Sequence, residues 1–285
     1  MTVRVLRSPA AKRNPEVLER VRASGEDNLA WIGRVVKEGL VGTDPEWSLL
    51  VLVGGNDPMS FRLRVSQSHV RHDLSPSAWS QVAFVPRLAP KLAGSPVREI
   101  SLAPASGFGR YGFAPPSNGL QRNRLGAYAA ADKYPNIAIL SAPVKAADVA
   151  KGLDTLASQR SILDIPQLIL RWLGYCWGVG VPASPLTEGY GIPGAAILEA
   201  AFATKGFDLT PGLESRSSCP EAIWQAATWW HQFYERTVGR KAAMKGAYSA
   251  KHDLVPDERF GGSPPPVTEL PKAPTGARPP RAKKR

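Results

Sequence analysis

The spacing of apolar residues changes part-way along this chain. Before residue 145 they fall in short, nearly continuous runs, and after it they recur every three or four positions. "WSLLVLVGGNDP" (47–58) is an apolar run of strand length closed by a Gly-Gly-Asn-Asp-Pro cluster, and predicts a central strand ending in a turn. "AWSQVAFVPRL" (78–88), "SPVREISLAPAS" (95–106) and "YPNIAILSAPV" (134–144) predict a second, third and fourth strand. Residues 106–123, full of Gly, Pro and aromatics, predict a long surface loop. Helical spacing then appears in "KAADVAKGLDTLASQR" (145–160), "ILDIPQLILRWLGYCWGV" (162–179), "PGAAILEAAFATKG" (193–206) and "CPEAIWQAATWWHQFYERTV" (219–238). At the start, "NPEVLERVRASGEDNLAWIGRVVKEGLVG" (14–42) predicts two helices broken near Gly25, the first capped by Asn14 with Pro15 in its first turn.

Strands grouped before helices predict an α+β fold, an antiparallel sheet from the first half packed against helices from the second. The expected organisation is an N-terminal helical segment (1–44), an α+β domain (45–240) and a basic, Pro/Gly-rich, largely disordered tail (241–285).

Charge sharpens the last boundary. From Gly239 onward eleven Lys or Arg face four acids, which places +7 of the formal +12 there and leaves +5 for the first 238 residues. Such a tail predicts either solubility alone or loose attraction to an anionic partner, a nucleic acid or a membrane surface. "MTVRVLRSPAAKRNPEVL" carries no apolar core of signal-peptide length. "IPQLILRWLGYCWGVGVP" is interrupted by Arg171, so no transmembrane segment is expected. Cys176 and Cys219 are too few for a disulfide framework, and they lie in apolar helical patterns as free thiols do, which predicts a cytoplasmic home.

"GYGIPG" (189–194) has G-x-G-x-x-G spacing with Asp208 downstream, but the preceding "PASPLTE" is polar and holds two prolines where a dinucleotide site needs a strand. No cofactor and no metal site is expected. His69, His72 and Asp73 in "SHVRHD" offer a base or ligands without a second cluster. His231 lies twelve residues beyond Cys219 on one predicted helix, about 18 Å away, too far for a dyad. Cys219 reads two ways. Pro220, and Ser218 with Glu221 at capping-box spacing, place it at a helix start where a thiolate is favoured; it is equally a small residue opening a buried helix. Trp224, Trp229 and Trp230 occupy more than one face of that helix, as core and as a surplus suited to an interface.

The order of these elements, with "SPSAWSQVAFV", "VREISLAPASGFG", "YPNIAILSAPV" and "IPGAAILEAAFATKGFDLTPG", resembles the circularly permuted papain-like hydrolases of the NlpC/P60 superfamily over residues 45–225. The resemblance implies a histidine on an early strand and a cysteine at the start of a later helix. Those positions fall here on Gln81 and on Pro193 or Gly194, which supply neither a neutral-pH base nor a nucleophile. The implied protein is a degenerate papain-like domain, a pseudoenzyme that binds a protein partner as a scaffold in a larger cytoplasmic system. The alternative is an active cysteine hydrolase or acyltransferase on amide or ester bonds, with Cys219 as nucleophile, His69 or His72 as base, and Gln81 as oxyanion donor.

Overall fold

The computed structural model describes residues 12–102, 119–159, 163–178, 183–238, 244–251 and 254–256. In chain order the elements are β1 (Val17–Glu19), α1 (Asn28–Lys37), β2 (Ser48–Gly54), α2 (Pro58–Ser66), β3 (Gln81–Val85), β4 (Pro96–Glu99), β5 (Gln121–Arg124) and β6 (Asn136–Ala142). There follow α3 (Ala146–Ser158), α4 (Ile165–Trp177), α5 (Pro193–Ala203), α6 (Pro220–Trp229), α7 (His231–Val238) and β7 (Lys245–Ser249). The fold is α+β. Its sheet has seven strands in the order β1-β7-β6-β2-β3-β4-β5, antiparallel throughout except for the β1–β7 pair.

Every residue of β2 and β6 is buried, which is why both read as continuous apolar runs rather than alternating ones. Successive side chains point to opposite faces. Leu50, Leu52, Val82, Phe84, Ala138 and Leu140 face the main core with the helices of the second half. Leu49, Val51, Val53, Ala83, Val85, Ile137 and Ile139 face a smaller core closed by Trp31, Ile32 and Val35 of α1. Asp27 caps α1 by accepting from Ala30 N–H. Helix α5 is apolar nearly all round, and accordingly sits between α3, α4 and β3. Arg171, on the outer side of α4, pairs with Glu188 and stacks over Tyr190.

Four expectations change. The helix expected to begin at Asn14 is not formed. Asn14 instead donates through Nδ2 to Ala227 O and Met244 O, each at 3.0 Å, and Val17–Glu19 pairs in parallel with Gly246–Tyr248. Val21, placed on that helix's apolar face by its spacing, is 72% exposed. Second, β7 lies inside the stretch assigned to the tail, in the sheet between β1 and β6; residues 241–243, 252–253 and 257–285 of that stretch lie outside the described residues. Third, the stretch 219–238 is two helices, α6 and α7, parted at Trp230. Fourth, the end of the expected 106–123 loop is the strand β5, and residues 103–118 lie outside the described residues. Among the described residues no helix is long and apolar enough to cross a membrane.

Candidate functional site

The two stretches singled out by their chemistry, "SHVRHD" and "CPEAIWQ", do meet, but through different groups from those expected. A short 3₁₀ turn, Ser68–Val70, follows α2 and lies against α6, where Gln225 Nε2 donates to Val70 O at 3.4 Å. Gln67 Oε1 accepts the Glu221 backbone N–H at 2.8 Å, satisfying a first-turn donor of α6 from across the interface. Arg71 Nη1 donates to Glu221 Oε1 at 3.1 Å, and the same guanidinium grips Asp73 with Nε and Nη2 at 2.9 and 2.7 Å. Glu221 also accepts from Ser77 Oγ (2.7 Å) and Gln225 Nε2 (3.0 Å). Burial raises the Glu221 pKa against the opposing pull of Arg71, Gln225 and Ser77.

Cys219 is the N-cap of α6, not Ser218, and Glu221 is turned into the network above rather than closing a capping box. The thiol is fully buried in the main core, and burial pushes it up to about 12, outweighing the nearby Ala222 N–H that would lower it. A buried helix start therefore does not yield a thiolate here. Cys176 is likewise buried and pushed up to about 12.

His69 sits half-buried in the 3₁₀ turn with Nε2 buried and unpartnered, and burial lowers its pKa although a hydrogen bond to the Ser66 backbone opposes this. His72 is exposed one residue beyond Arg71. His231 is buried at the start of α7 with Nδ1 unpartnered, while His252 lies outside the described residues. Gln81 shares its face with Ala83 and Val85, the face covered by α1, whereas α5 covers the face of Val82 and Phe84. Its Nε2 donates to Glu99 Oε2 (2.6 Å) and to Tyr128 Oη (2.8 Å). Both N–H donors of Gln81 are thus used within the protein, which leaves none for an oxyanion. Glu99 is buried and raised by that burial, with Asn123 donating to its other oxygen.

The "GYGIPG" stretch has a structural explanation. It follows a 3₁₀ turn, Pro185–Glu188, not a strand. A Cβ on Gly191 would lie 2.3 Å from Ser218 O, because Gly191 N–H donates to Arg216 O and Ile192 N–H to Ser218 O. Asp208 lies against Glu199 of α5, not in a ribose site. Among the described residues no group of three or more His, Cys, Asp or Glu could hold a metal ion.

An open cleft of about 150 Å³ lies beside the Arg71–Glu221 pair, lined by Arg13, Arg71, His72, Glu221, Trp224 and Trp229, with Tyr248 of β7 completing it. On its wall Trp224 packs against Tyr248 at 4.8 Å and Arg13 stacks over Tyr248 at 4.8 Å, with the buried Trp79 behind Trp224 at 5.1 Å. Leu74, three residues after Arg71 in the chain, is 70% exposed and holds a φ of +54°, an unfavourable conformation for a branched residue. The sequence marked the tryptophans and His72, but not Arg71 or Arg13. An isolated arginine carries no motif, and only the tertiary contact with Glu221 distinguishes it.

No family model, curated protein or solved structure matches the chain.

Proposed function

We propose that this chain is a non-catalytic binding domain rather than a thiol hydrolase, and that the cleft at Arg71 and Trp224 is its recognition site. The observation that carries the reading is Cys219: a thiol with no exposed surface and a pKa near 12 is neither reachable nor ionised near neutral pH. The cleft offers cations, aromatic faces and a fixed guanidinium, the residue types that anchor binding surfaces, and neither cysteine is among the residues that line it. In this reading the resemblance to permuted papain-like hydrolases is one of descent, with Gln81 and Pro193 or Gly194 at the positions of the lost pair. The partner is a protein, and the basic C-terminal residues add long-range attraction to an anionic surface, which is strongest at low salt.

The test is the pH dependence of alkylation at Cys219 in the folded Cys176→Ser variant. Labelling only on unfolding is expected. Fast labelling of the native protein, with a midpoint below the reference of about 8.5, overturns the proposal and restores the hydrolase reading.

A further inference from the structure

We infer that the cleft between α6, β7 and the 71–75 loop takes a small aromatic oxyanion, one flat ring against Trp224 and Trp229 with its carboxylate or phosphate group beside Arg13 and Arg71. This deepens the binding-domain reading and rests on it. The argument begins with hydrogen-bonding capacity. Glu221, the one carboxylate lining the cleft, already accepts from Arg71, Gln225 and Ser77. Arg71 gives one N–H of each terminal nitrogen to Glu221 and Asp73, and Arg13 bonds Tyr248 Oη through Nη2. A guanidinium carries five N–H donors, so both arginines keep N–H groups with no protein acceptor among the described residues. Donors exceed acceptors, and an incoming group must therefore accept and carry negative charge. A cationic ligand would meet two guanidinia with no uncommitted carboxylate to offset them.

Size and shape supply the rest. A cavity of 150 Å³ is about the volume that holds one benzene ring. The half-buried Trp224 and Trp229 offer flat apolar surface within it. Arg71 is held by Asp73 on one side and Glu221 on the other, so its position is set before a ligand arrives and little ordering cost remains on binding.

The experiment is calorimetric titration of the full chain with phenyl phosphate and 3-phenylpropanoate, each compared with inorganic phosphate and benzyl alcohol, which carry only half of the required chemistry. Both aromatic oxyanions should bind at least tenfold more tightly than either half. Arg13→Ala, a change at an exposed residue, and Trp229→Leu should each weaken phenyl phosphate about tenfold, equivalent to about 1.4 kcal/mol. Arg87→Ala, in a separate groove at the other end of the sheet, should change nothing. Acetyl-Gly-Phe against its C-terminal amide separates the two sources of the chemistry. Preference for the acid over both the amide and 3-phenylpropanoate indicates a polypeptide end, in keeping with a protein partner, and equal binding of acid and 3-phenylpropanoate a free small molecule, which supports the site but replaces the protein partner at it. The inference is overturned if none of these probes binds at millimolar concentration, or if wild type, Arg13→Ala and Trp229→Leu bind phenyl phosphate equally. A failed titration alongside an inert Cys219 removes only the ligand class, whereas native labelling of Cys219 removes the binding-domain reading itself.

Discussion

Glu199 should make this fold lose stability as pH rises through neutrality. It lies on α5, 2% exposed, with Oε2 accepting from Thr210 Oγ1 at 3.0 Å, and Asp208 beside it accepts from Thr210 N–H. Burial, and then the Asp208 charge, push Glu199 up to about 8. Tyr234, packed over the same pair, is pushed well above its ordinary value by burial and so stays neutral. In the unfolded chain Glu199 titrates near 4.3. A group whose folded pKa is raised stabilises fully below its unfolded pKa, and the contribution fades as pH climbs to the folded value. The slope is about 1.4 kcal/mol per pH unit, so about 4 kcal/mol disappears between pH 5 and pH 8. That is a large part of the roughly 5–15 kcal/mol typical of a whole domain. Glu199→Gln mimics the protonated acid, with an oxygen for Thr210 and an N–H for Asp208. Urea unfolding at pH 5, 6.5, 8 and 9 should show the variant close to wild type at pH 5 and several kcal/mol more stable at pH 9. Taking the difference between the two proteins cancels groups that act the opposite way, such as Asp73, held down by Arg71. A difference that stays flat from pH 5 to pH 9 refutes the reasoning.

Four further outcomes follow from the packing. Glu221→Ala leaves Ser77 Oγ and Gln225 Nε2 without their buried acceptor while Arg71 keeps Asp73, and should lower the unfolding free energy by about 1–3 kcal/mol. Arg71→Met/Glu221→Met should cost less than its two single changes together, and strict additivity in urea melts would show that the pair is not coupled. Gly191→Ala forces a Cβ to 2.3 Å from Ser218 O, whereas Gly206→Ala meets nothing within 4 Å and pays only for its φ of +71°. The first should cost at least about 2–4 kcal/mol and the second about 1–2, so equal shifts in thermal midpoint would contradict the close approach at Gly191. Deleting residues 257–285 should leave a cooperative unfolding transition, while deletion from 241 removes β7 from between β1 and β6 and should abolish it. Survival of cooperative melting in the longer deletion would mean that β7 is dispensable.

Local pattern determined much of this chain. The buried strands β2, β3 and β6 are apolar enough to be recognised anywhere, and α3, α4 and α5 carry their helical spacing in their own residues. The α+β grouping followed from their order alone. Tertiary structure decided what short or polar segments became. Val17–Glu19 has the composition of a helix start, yet pairs as a strand because β7, more than two hundred residues downstream, offers it an edge. "QRNR" shows no apolar alternation and is a strand only by pairing with β4. The site divides in the same way. The sequence marked Cys219 as a helix start next to a glutamate, but whether a helix start favours a thiolate depends on water. Burial removes the water, and desolvation outweighs the first-turn amides. Arg71 acquired its role only because the fold sets it against Glu221, 150 positions away in the chain, beside an open cleft. Periodicity is a property of neighbours in sequence, while charge pairing and desolvation are properties of neighbours in space.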